Sequence, residues 1–476
     1  MLSLQQARQW LGKADLVPHE AAAGELRFSR VHTDSRSVAP GDLFVALQGE
    51  RFDANDFLAD ARARGAVAAI CQGDAESRMR AAGLPGLLVP DSKKALAELA
   101  RHWRSQFDLP LIAVTGSNGK TTVTQMIAAI FAASKPDAFL ATQGNLNNDI
   151  GVPLTVLRLR SRHQMAVIEL GMNHPGEISA LAAIAQPTIA LVNNAQREHL
   201  EFMLSVEAVA RENGCVIDAL PQGGVAVLAS DEAFSDLWIA SAGTRKVLRF
   251  CLSGADPRVA DVVCNSAVWS GQCWQVTAAT PAGELHYQLP IAGLHNVKNS
   301  LAAISCALAA GVPLQAIGLG LAAFKPVNGR SRSQLVRLGS HCLTLIDDSY
   351  NANPDSVRAA IEVLAALPGP RLLVLGDMGE VGGQGPQLHA EVGRFARSLG
   401  LEALFTLGDL SVSAAEGFGG GRHFGDFEAL RQAVLAELAG FGSVLVKGSR
   451  FMKMERLVAA IAAAANQHKG EQHAAQ

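Results

Sequence analysis

Short, continuous apolar runs punctuate the chain: Leu111-Ile112-Ala113-Val114, Ala166-Val167-Ile168, Ile189-Ala190-Leu191-Val192 and Val225-Ala226-Val227-Leu228. Runs of this length, apolar at successive positions, suit strands buried on both faces, as helices on either side of a parallel sheet would bury them. Helix-like sequence separates each run from the next, which predicts an alternating α/β unit. Over residues 262–289 the pattern becomes more polar and alternating, as in Trp274-Gln275-Val276-Thr277, so appended antiparallel strands are expected there. A helix over 296–310 closes the unit. Beyond the turn-rich Lys325-Pro326-Val327-Asn328-Gly329-Arg330, strands are predicted at 343–346, 372–375, 403–407 and 444–447, alternating with helices. One of these helices opens at Asn353-Pro354-Asp355, where an amide can cap and the missing proline N–H goes unneeded, and Val357, Ala360, Ile361 and Leu364 form its apolar face. Another carries Met454, Leu457, Val458 and Ile461 as core, and the polar tail from Asn466 is expected to fray. Ahead of all this, residues up to Val89 hold short strand-like runs such as Asp42-Leu43-Phe44-Val45-Ala46-Leu47, broken by Gly and Pro, and a helix over 92–106 leads to the first buried run. The expectation is an α/β protein of three domains: a small α/β domain over 1–89, a central P-loop ATPase-like parallel-sheet domain over 90–325, and a dinucleotide-fold-like domain over 326–476.

Composition narrows the function classes. A chain of 476 residues outgrows a single core, and with 49% hydrophobic and 18% charged residues it has the make-up of a packed globular protein. Only 5% are aromatic, so aliphatic side chains must fill the cores. A formal net charge of -3 supplies no basic field for a polyphosphate backbone, which argues against a nucleic-acid partner. The 7 cysteines are odd in number and form no C-x-x-C pair, so neither a disulfide framework nor a zinc site is suggested, and a reducing cytoplasm is expected. Gln and Arg interrupt the first residues where a signal peptide needs an apolar stretch, and no apolar run approaches a membrane-spanning length. Export and membrane insertion are not expected.

The strongest chemical signal is Thr115-Gly116-Ser117-Asn118-Gly119-Lys120-Thr121-Thr122, placed where a buried strand meets an amphipathic helix. Glycines there let backbone N–H groups approach phosphate oxygens, and the helix N-terminus adds positive partial charge. Lys120 is expected at the β- and γ-phosphates and the Thr121 hydroxyl on Mg²⁺. The word is a shortened G-x-x-G-K-T, with Val114 where the full pattern has its first glycine. An ordinary Gly-rich turn is the plain alternative, which the flanking strand and helix disfavour.

Glu169 follows the strand at 166–168, and parallel sheets gather ligands at the carboxyl ends of their strands, so it is a candidate second ligand for Mg²⁺. His199, beyond the strand at 189–192, is a candidate neutral metal ligand, although no neighbouring His forms a ligand pair with it. Asn296 and Asn299 stand three apart at a predicted helix start, both amides on one face, able to bond a base or a phosphate; helix capping is the alternative for one of them. Asp347-Asp348-Ser349-Tyr350-Asn351-Ala352-Asn353-Pro354 concentrates polar groups at another strand end, and Lys447-Gly448-Ser449-Arg450 does so with basic charge.

Taken alone these residues describe a P-loop nucleotide enzyme without naming its substrate. Along essentially the whole chain they also resemble the Mur ligases. The resemblance rests on Thr33-Asp34-Ser35-Arg36 with Pro40-Gly41-Asp42-Leu43-Phe44-Val45-Ala46-Leu47, on the P-loop word, on Asn145-Leu146-Asn147-Asn148-Asp149-Ile150-Gly151-Val152-Pro153 and on Glu169-Leu170-Gly171-Met172-Asn173-His174-Pro175-Gly176. It continues through His199-Leu200-Glu201, the Asp347 to Pro354 word, Gly376-Asp377-Met378-Gly379-Glu380 and Val446-Lys447-Gly448-Ser449-Arg450.

The likeness implies that the N-terminal domain binds a UDP-sugar through Ser35 and Arg36. It implies that Gly116, Ser117, Asn118, Gly119, Lys120, Thr121, Thr122, Asn296, Asn299, Arg330 and Asp348 hold ATP. Thr121, Glu169 and His199 would carry Mg²⁺, and Lys120, Glu169 and His199 would be catalytic. Asp348-Ser349-Tyr350-Asn351-Ala352-Asn353-Pro354 resembles the word of the dipeptide-adding member, with Asn351 and Asn353 meeting substrate; the Asp-Asn-Pro-Arg of a diaminopimelate-adding relative is absent. The implied reaction is ATP-dependent ligation of D-alanyl-D-alanine to a UDP-N-acetylmuramoyl tripeptide through an acyl phosphate, in peptidoglycan precursor synthesis, by a cytoplasmic monomer. Another Mur ligase, a folylpolyglutamate synthase relative and a nucleotide-sensing module that switches a partner stay open as alternatives. The chain departs from the family at one place: Mur ligases commonly carry a CO₂-carbamylated lysine fourteen residues after the metal-site histidine, and Asn213 stands there. An amide cannot form that carbamate. Activity insensitive to CO₂ is expected, together with a second metal that Asn213→Asp would bind more tightly and for which Glu212 is a weaker substitute ligand.

Overall fold

A computed structural model describes residues 1–18, 21–50, 52–252 and 260–474. In the N-terminal part a five-stranded sheet runs Asp15–Val17, Gly86–Val89, Ala68–Gln72, Asp42–Val45, Arg30–His32. All its pairings are parallel except that of the edge strand Asp15–Val17. The helix Ser92–Arg104 follows. Its Leu96 and Leu99 belong to one apolar core that takes in Leu43, Ile70 and Leu87 of this sheet and Leu157, Ile168 and Leu181 beyond it, so the first two domains share a core across this helix.

The central sheet has nine strands. Its middle is β1 (Leu111–Thr115), followed in sequence by helix α1 (Lys120–Ser134), then β2 (Met165–Glu169), helix α2 (Glu177–Ala185), β3 (Ile189–Val192) and helix α3 (Val206–Asp218). β1 lies between β2 and β3, parallel to both, with Ile112 opposite Val167 and Ile189. Every residue of these three strands is buried, which is what continuous apolar runs demand. The sheet extends to Phe139–Ala141 on one side and through Val225–Ala229 and Lys246–Cys251 on the other. There it turns antiparallel in Val262–Trp269, Trp274–Thr280 and Gly283–Leu289, the alternating stretch. Helix α4 (Leu294–Ala309) packs across this sheet with α1, in a core holding Val123, Ile127, Val297 and Leu301.

The C-terminal sheet has six strands, in the order Arg332–Leu338, β4 (His341–Asp348), then the last strand of the chain, then β5 (Arg371–Gly376), Ala403–Leu407 and Arg422–Phe424. Helix α5 (Pro354–Ala365) connects β4 to β5, helix α6 (Gly385–Ser398) follows β5, and β6 (Ser443–Lys447) is the strand inserted between β4 and β5. The chain therefore runs outward from β4 through β5 to the edge strand Arg422–Phe424 and then returns to insert β6, and the carboxyl ends of β4, β6 and β5 stand side by side, with Asp348 opposite Lys447 and Lys447 opposite Leu375. Open α/β sheets bind ligands outside the carboxyl ends of their strands. The last helix runs Glu455–Ala474, past Asn466, where the sequence suggests fraying.

Candidate active site

The carboxyl ends of the central and C-terminal sheets face one cleft of about 860 Å³. Its floor is the Gly-rich loop. Gly116 and Gly119 have φ of 129° and 83°, and Gly119 forms the left-handed cap of α1; a Cβ there would lie 2.5 Å from Asn299 Oδ1 and 2.7 Å from Asn193 Nδ2, so only glycine fits. Lys120 Nζ donates to the carbonyls of Gly116 (2.5 Å) and Ser117 (3.2 Å) and stands 3.5 Å from Glu198 Oε2, so the ammonium sits over its own loop. Thr121, Thr122, Ser117 and Asn118 line the cleft beside it.

Thr121 Oγ1 donates to Glu169 Oε1 at 3.2 Å, and Asn147 Nδ2 donates to the same oxygen at 2.7 Å. Glu169 is 2% exposed, and its Oε2 is buried without any partner. An unpaired carboxylate oxygen in such a place is costly unless something positive meets it. His199 has a left-handed backbone (φ 49°); its Nδ1 lies against the Glu380 carboxylate of the C-terminal domain, and its Nε2 is 3.8 Å from Glu198 Oε2. Hydrogen bonding to His199 holds the Glu380 carboxyl below its ordinary range, against the burial that would raise it. Among the described residues no group of three or more His, Cys, Asp or Glu side chains is gathered as a ready metal cage.

Asn296 and Asn299 share one face of α4, as their spacing predicts, and neither caps it, because the cap position is Gly293. Asn299 Nδ2 donates to Asn296 Oδ1 (3.0 Å) and Asn299 Oδ1 accepts from Asn193 Nδ2 (3.0 Å), which in turn donates to Asn118 O (2.8 Å). The amides thus form a relay to the loop. From the other domain, Arg330 reaches Thr121 Oγ1 at 3.3 Å with its guanidinium 4.2 Å from the centre of the Tyr350 ring. Asp348 accepts from Ser331 N (2.9 Å) and from Lys447 Nζ (2.5 Å), and Lys447 also donates to Asn351 O (2.9 Å). Asn351 borders the cleft; Asn353 caps α5, accepting from Ser356 N at 2.8 Å, and its Nδ2 donates to Asn118 Oδ1 at 3.0 Å.

Ser35 and Arg36 are not among the residues lining this cleft. They form a short turn on the N-terminal domain, where Arg36 is 84% exposed and pairs with Asp34 at 2.7 Å. The Arg36 guanidinium pulls the Asp34 carboxyl down to about 2.

The expectation for Asn213 needs correction. It is 1% exposed on α3, and both ends of its amide are engaged: Oδ1 accepts from Gly116 N at 2.8 Å and Nδ2 donates to Val209 O at 3.1 Å. Its backbone carbonyl accepts from Thr115 Oγ1 at 3.1 Å. Asn213 therefore braces the Gly-rich loop from behind and presents no free oxygen to a metal. Glu212 is no substitute, since its carboxylate accepts from Gly176 N and Ile178 N, both at 2.8 Å, at the start of α2. Glu198, Asn193, Asn194 and Gln196, which no sequence motif singles out, also tie the segment after β3 to the loop. Their only linear signal is polarity following a buried strand.

Comparison with known proteins bears on this geometry. Residues 27–104 match the description "Mur ligase family, catalytic domain", residues 114–307 "Mur ligase middle domain" and residues 331–450 "Mur ligase, glutamate ligase domain". The chain is 40% identical over 449 residues to a UDP-N-acetylmuramoyl-tripeptide--D-alanyl-D-alanine ligase of Escherichia coli, covering 94% of this chain and 96% of that protein. A crystal structure of MurF from Acinetobacter baumannii superposes with a TM-score of 0.86 at 35% identity, over 97% of this chain and 98% of that one. MurF ligase from Thermotoga maritima, solved in complex with ADP, gives 0.78 at 26% identity over 93% and 98%. With the three domain matches in order along the chain and a cleft built by the P-loop and the Asp348 segment, this protein belongs to the Mur ligase family.

Proposed function

We propose that the chain joins D-alanyl-D-alanine to a UDP-N-acetylmuramoyl tripeptide, spending ATP and releasing ADP and phosphate, in the synthesis of peptidoglycan precursor. The observation that carries this reading is the meeting, in one cleft, of the Lys120 loop with the segment from Asp348 to Asn353, in a chain 40% identical to a ligase of that name. The tripeptide's terminal carboxylate attacks the γ-phosphorus of ATP, the bond to the β-phosphate breaks, and an acyl phosphate forms. The free amine of D-alanyl-D-alanine then attacks the acyl carbon, phosphate leaves and the amine gives up a proton.

Little covalent work falls to the side chains, so their part is position and charge. Lys120 neutralises negative charge on the transferring group. Asn296, Asn299, Arg330 and Asp348 border the nucleotide from both domains, and Asn351 and Asn353 border the acceptor side. Mg²⁺ fits the residues present: the Thr121 hydroxyl and the unpaired oxygen of Glu169 would hold it, with His199 at the rim, and it would supply charge neutralisation on the phosphates. Few protein ligands are needed, because Mg²⁺ keeps several waters and substrate oxygens in its shell. Ser35 and Arg36 anchor the uridine diphosphate end on the N-terminal domain. Among the described residues no helix is long and apolar enough to cross a membrane, and we place the reaction in the cytoplasm, carried out by a monomer.

The test is phosphate release from ATP with UDP-N-acetylmuramoyl peptides of different length, each with and without D-alanyl-D-alanine. Turnover is expected only with the tripeptide and the dipeptide together; equal turnover with a single amino acid in place of the dipeptide would overturn the assignment.

A further inference from the structure

Four consecutive polar residues after β3 point in two directions. Gln196, Glu198 and His199 line the cleft, while Arg197 does not. The Arg197 guanidinium reaches instead into the C-terminal domain. Its Nη2 and Nε donate to Asp355 Oδ1 at 2.6 and 3.1 Å, its Nη1 to Glu391 Oε2 at 2.9 Å, and its backbone N–H to Asp355 Oδ2 at 2.9 Å. Asp355 stands in the first turn of α5 and Glu391 in the middle of α6, so one central-domain cation is held by two helices of the other domain. Arg358, stacked 3.9 Å from the centre of the Phe395 ring, completes the group from the far side of Glu391 at 3.3 Å. The three side chains Arg197, Asp355 and Glu391 are 25%, 22% and 32% exposed, which leaves them less screened than a surface pair.

We propose that Arg197 is a positioning residue, whose clamp on Asp355 and Glu391 sets the closed pose of the C-terminal domain over the cleft and, through the backbone, the placement of Glu198 and His199. Two further observations carry this. The segment containing Arg197 is sewn to the P-loop, with Asn118 N donating to Asn194 Oδ1 and Gln196 N to Ser117 Oγ, both at 2.8 Å. A shift of Arg197 is therefore transmitted to the loop that holds Lys120. Of the other polar links between these two domains, Asn118 with Asn353, Arg330 with Thr121 and His199 with Glu380 use groups assigned above to ATP, acceptor and metal, so binding exchanges them, and the remaining contact of Glu201 N with Glu380 O at 3.3 Å is between backbones. Asp355 borders the cleft, but Arg197 and Glu391 do not, so their pairing uses no group that ATP or acceptor needs. Multidentate guanidinium–carboxylate contacts fix orientation as well as distance, which suits a hinge-closing contact better than a lysine would.

The role in catalysis rests on the ligase reading, but the pose itself is measurable without substrate. Small-angle scattering of the ligand-free full chain at low and high salt is compared for the parent, Arg197→Met, Glu391→Gln and the double variant, with phosphate-release kinetics on each. Arg197→Met is expected to enlarge the radius of gyration and to remove its salt dependence. Its kcat is expected to fall about tenfold and its KM for ATP to rise more than that for the UDP-sugar peptide. The double variant is expected to be no worse than Arg197→Met, since both changes break one contact. If Arg197→Met does not fold, Arg197→Lys and Glu391→Gln carry the same two readouts. Unchanged scattering in the charge-removed variants, or losses that multiply in the double variant, would overturn the clamp. The expected scattering changes in the variants, together with a parent that does not ligate the dipeptide, would instead sink the substrate reading and leave the clamp standing.

Discussion

In the role proposed for it on a transferring phosphoryl group, Lys120 need contribute little to folding: its ammonium is bonded only to carbonyls of its own loop and to Glu198. Lys120→Ala is expected to lower kcat by about a hundredfold or more with a near-parental melting temperature. A folded variant of equal activity would remove Lys120 from the mechanism. Arg36 is remote from the cleft, and in the anchoring role proposed for it its binding would be the same in ground and transition states, so Arg36→Ala should raise the KM for the UDP-sugar peptide and leave that for ATP nearly unchanged; equal rises in both would place it elsewhere. Asn213 belongs to neither class. Asn213→Asp keeps an acceptor for Gly116 N–H but loses the donor to Val209 O and sets a carboxylate against that carbonyl in a buried place, which costs about 2 kcal/mol of stability. A lower melting temperature with an unimproved Mg²⁺ half-saturation is expected, and activity should not respond to removal of CO₂; rescue by bicarbonate would show a carbamate on some lysine. Lys120, Thr121 and Glu169 were legible in the sequence because each sits where a buried strand gives way to a polar turn. Asn213, Glu198 and Asn193 were not, because their roles exist only across separations of 97, 78 and 75 residues that no local pattern encodes.

Elements show the same division. Strands β1, β2 and β3 announce themselves because burial on both faces makes them apolar run after run, with polar residues, Thr115 and Glu169, only at the carboxyl ends of β1 and β2. Four strands of the central and C-terminal sheets escaped the pattern: Phe139–Ala141 spans only three residues, Lys246–Cys251 carries Lys246 and Arg249, and Arg332–Leu338 and Arg422–Phe424 are sheet edges with mostly exposed or half-buried positions. An edge strand needs only one apolar face and half its hydrogen bonds, so its sequence is hard to tell from a loop. Helix α5 was legible at its start because Asn353 caps it, in a capping box with Ser356, and Pro354 takes its first position. The same amide also faces Asn118, and the two duties can be separated. Asn353→Asp retains a capping acceptor and should keep stability within about 0.5 kcal/mol, whereas Asn353→Ala should lose about 1 kcal/mol. Both variants lose the donor to Asn118, so both are expected to lose activity, by amounts that do not follow their melting temperatures. Activity that tracks stability alone would reduce Asn353 to a cap.

At the scale of the molecule, length and the changes of pattern foretold three α/β domains, but not their mutual placement, which depends on contacts such as Arg197 with Asp355, 158 residues apart. Nor did anything in the linear pattern reveal that the helix Ser92–Arg104 joins the first two domains in one core. That placement decides where chemistry can occur. The UDP end is assigned to the N-terminal domain and ATP to the cleft between the other two, so only the far end of the bound peptide can meet the γ-phosphate. The reacting groups are then a carboxylate oxygen and the γ-phosphorus, with the α- and β-phosphates bound as a leaving unit. This arrangement yields ADP and phosphate; attack at the α-phosphorus would yield AMP and pyrophosphate and would require a different orientation of the nucleotide over Lys120. It also fixes the fate of an oxygen atom. When the amine displaces phosphate from the acyl phosphate, the carboxylate oxygen that attacked phosphorus departs with it. A tripeptide labelled with ¹⁸O in its terminal carboxylate is therefore expected to give inorganic phosphate carrying one labelled oxygen per turnover, read by mass spectrometry, with ADP unlabelled. Label retained wholly in the peptide product, or found in AMP, would exclude the acyl phosphate route for this cleft.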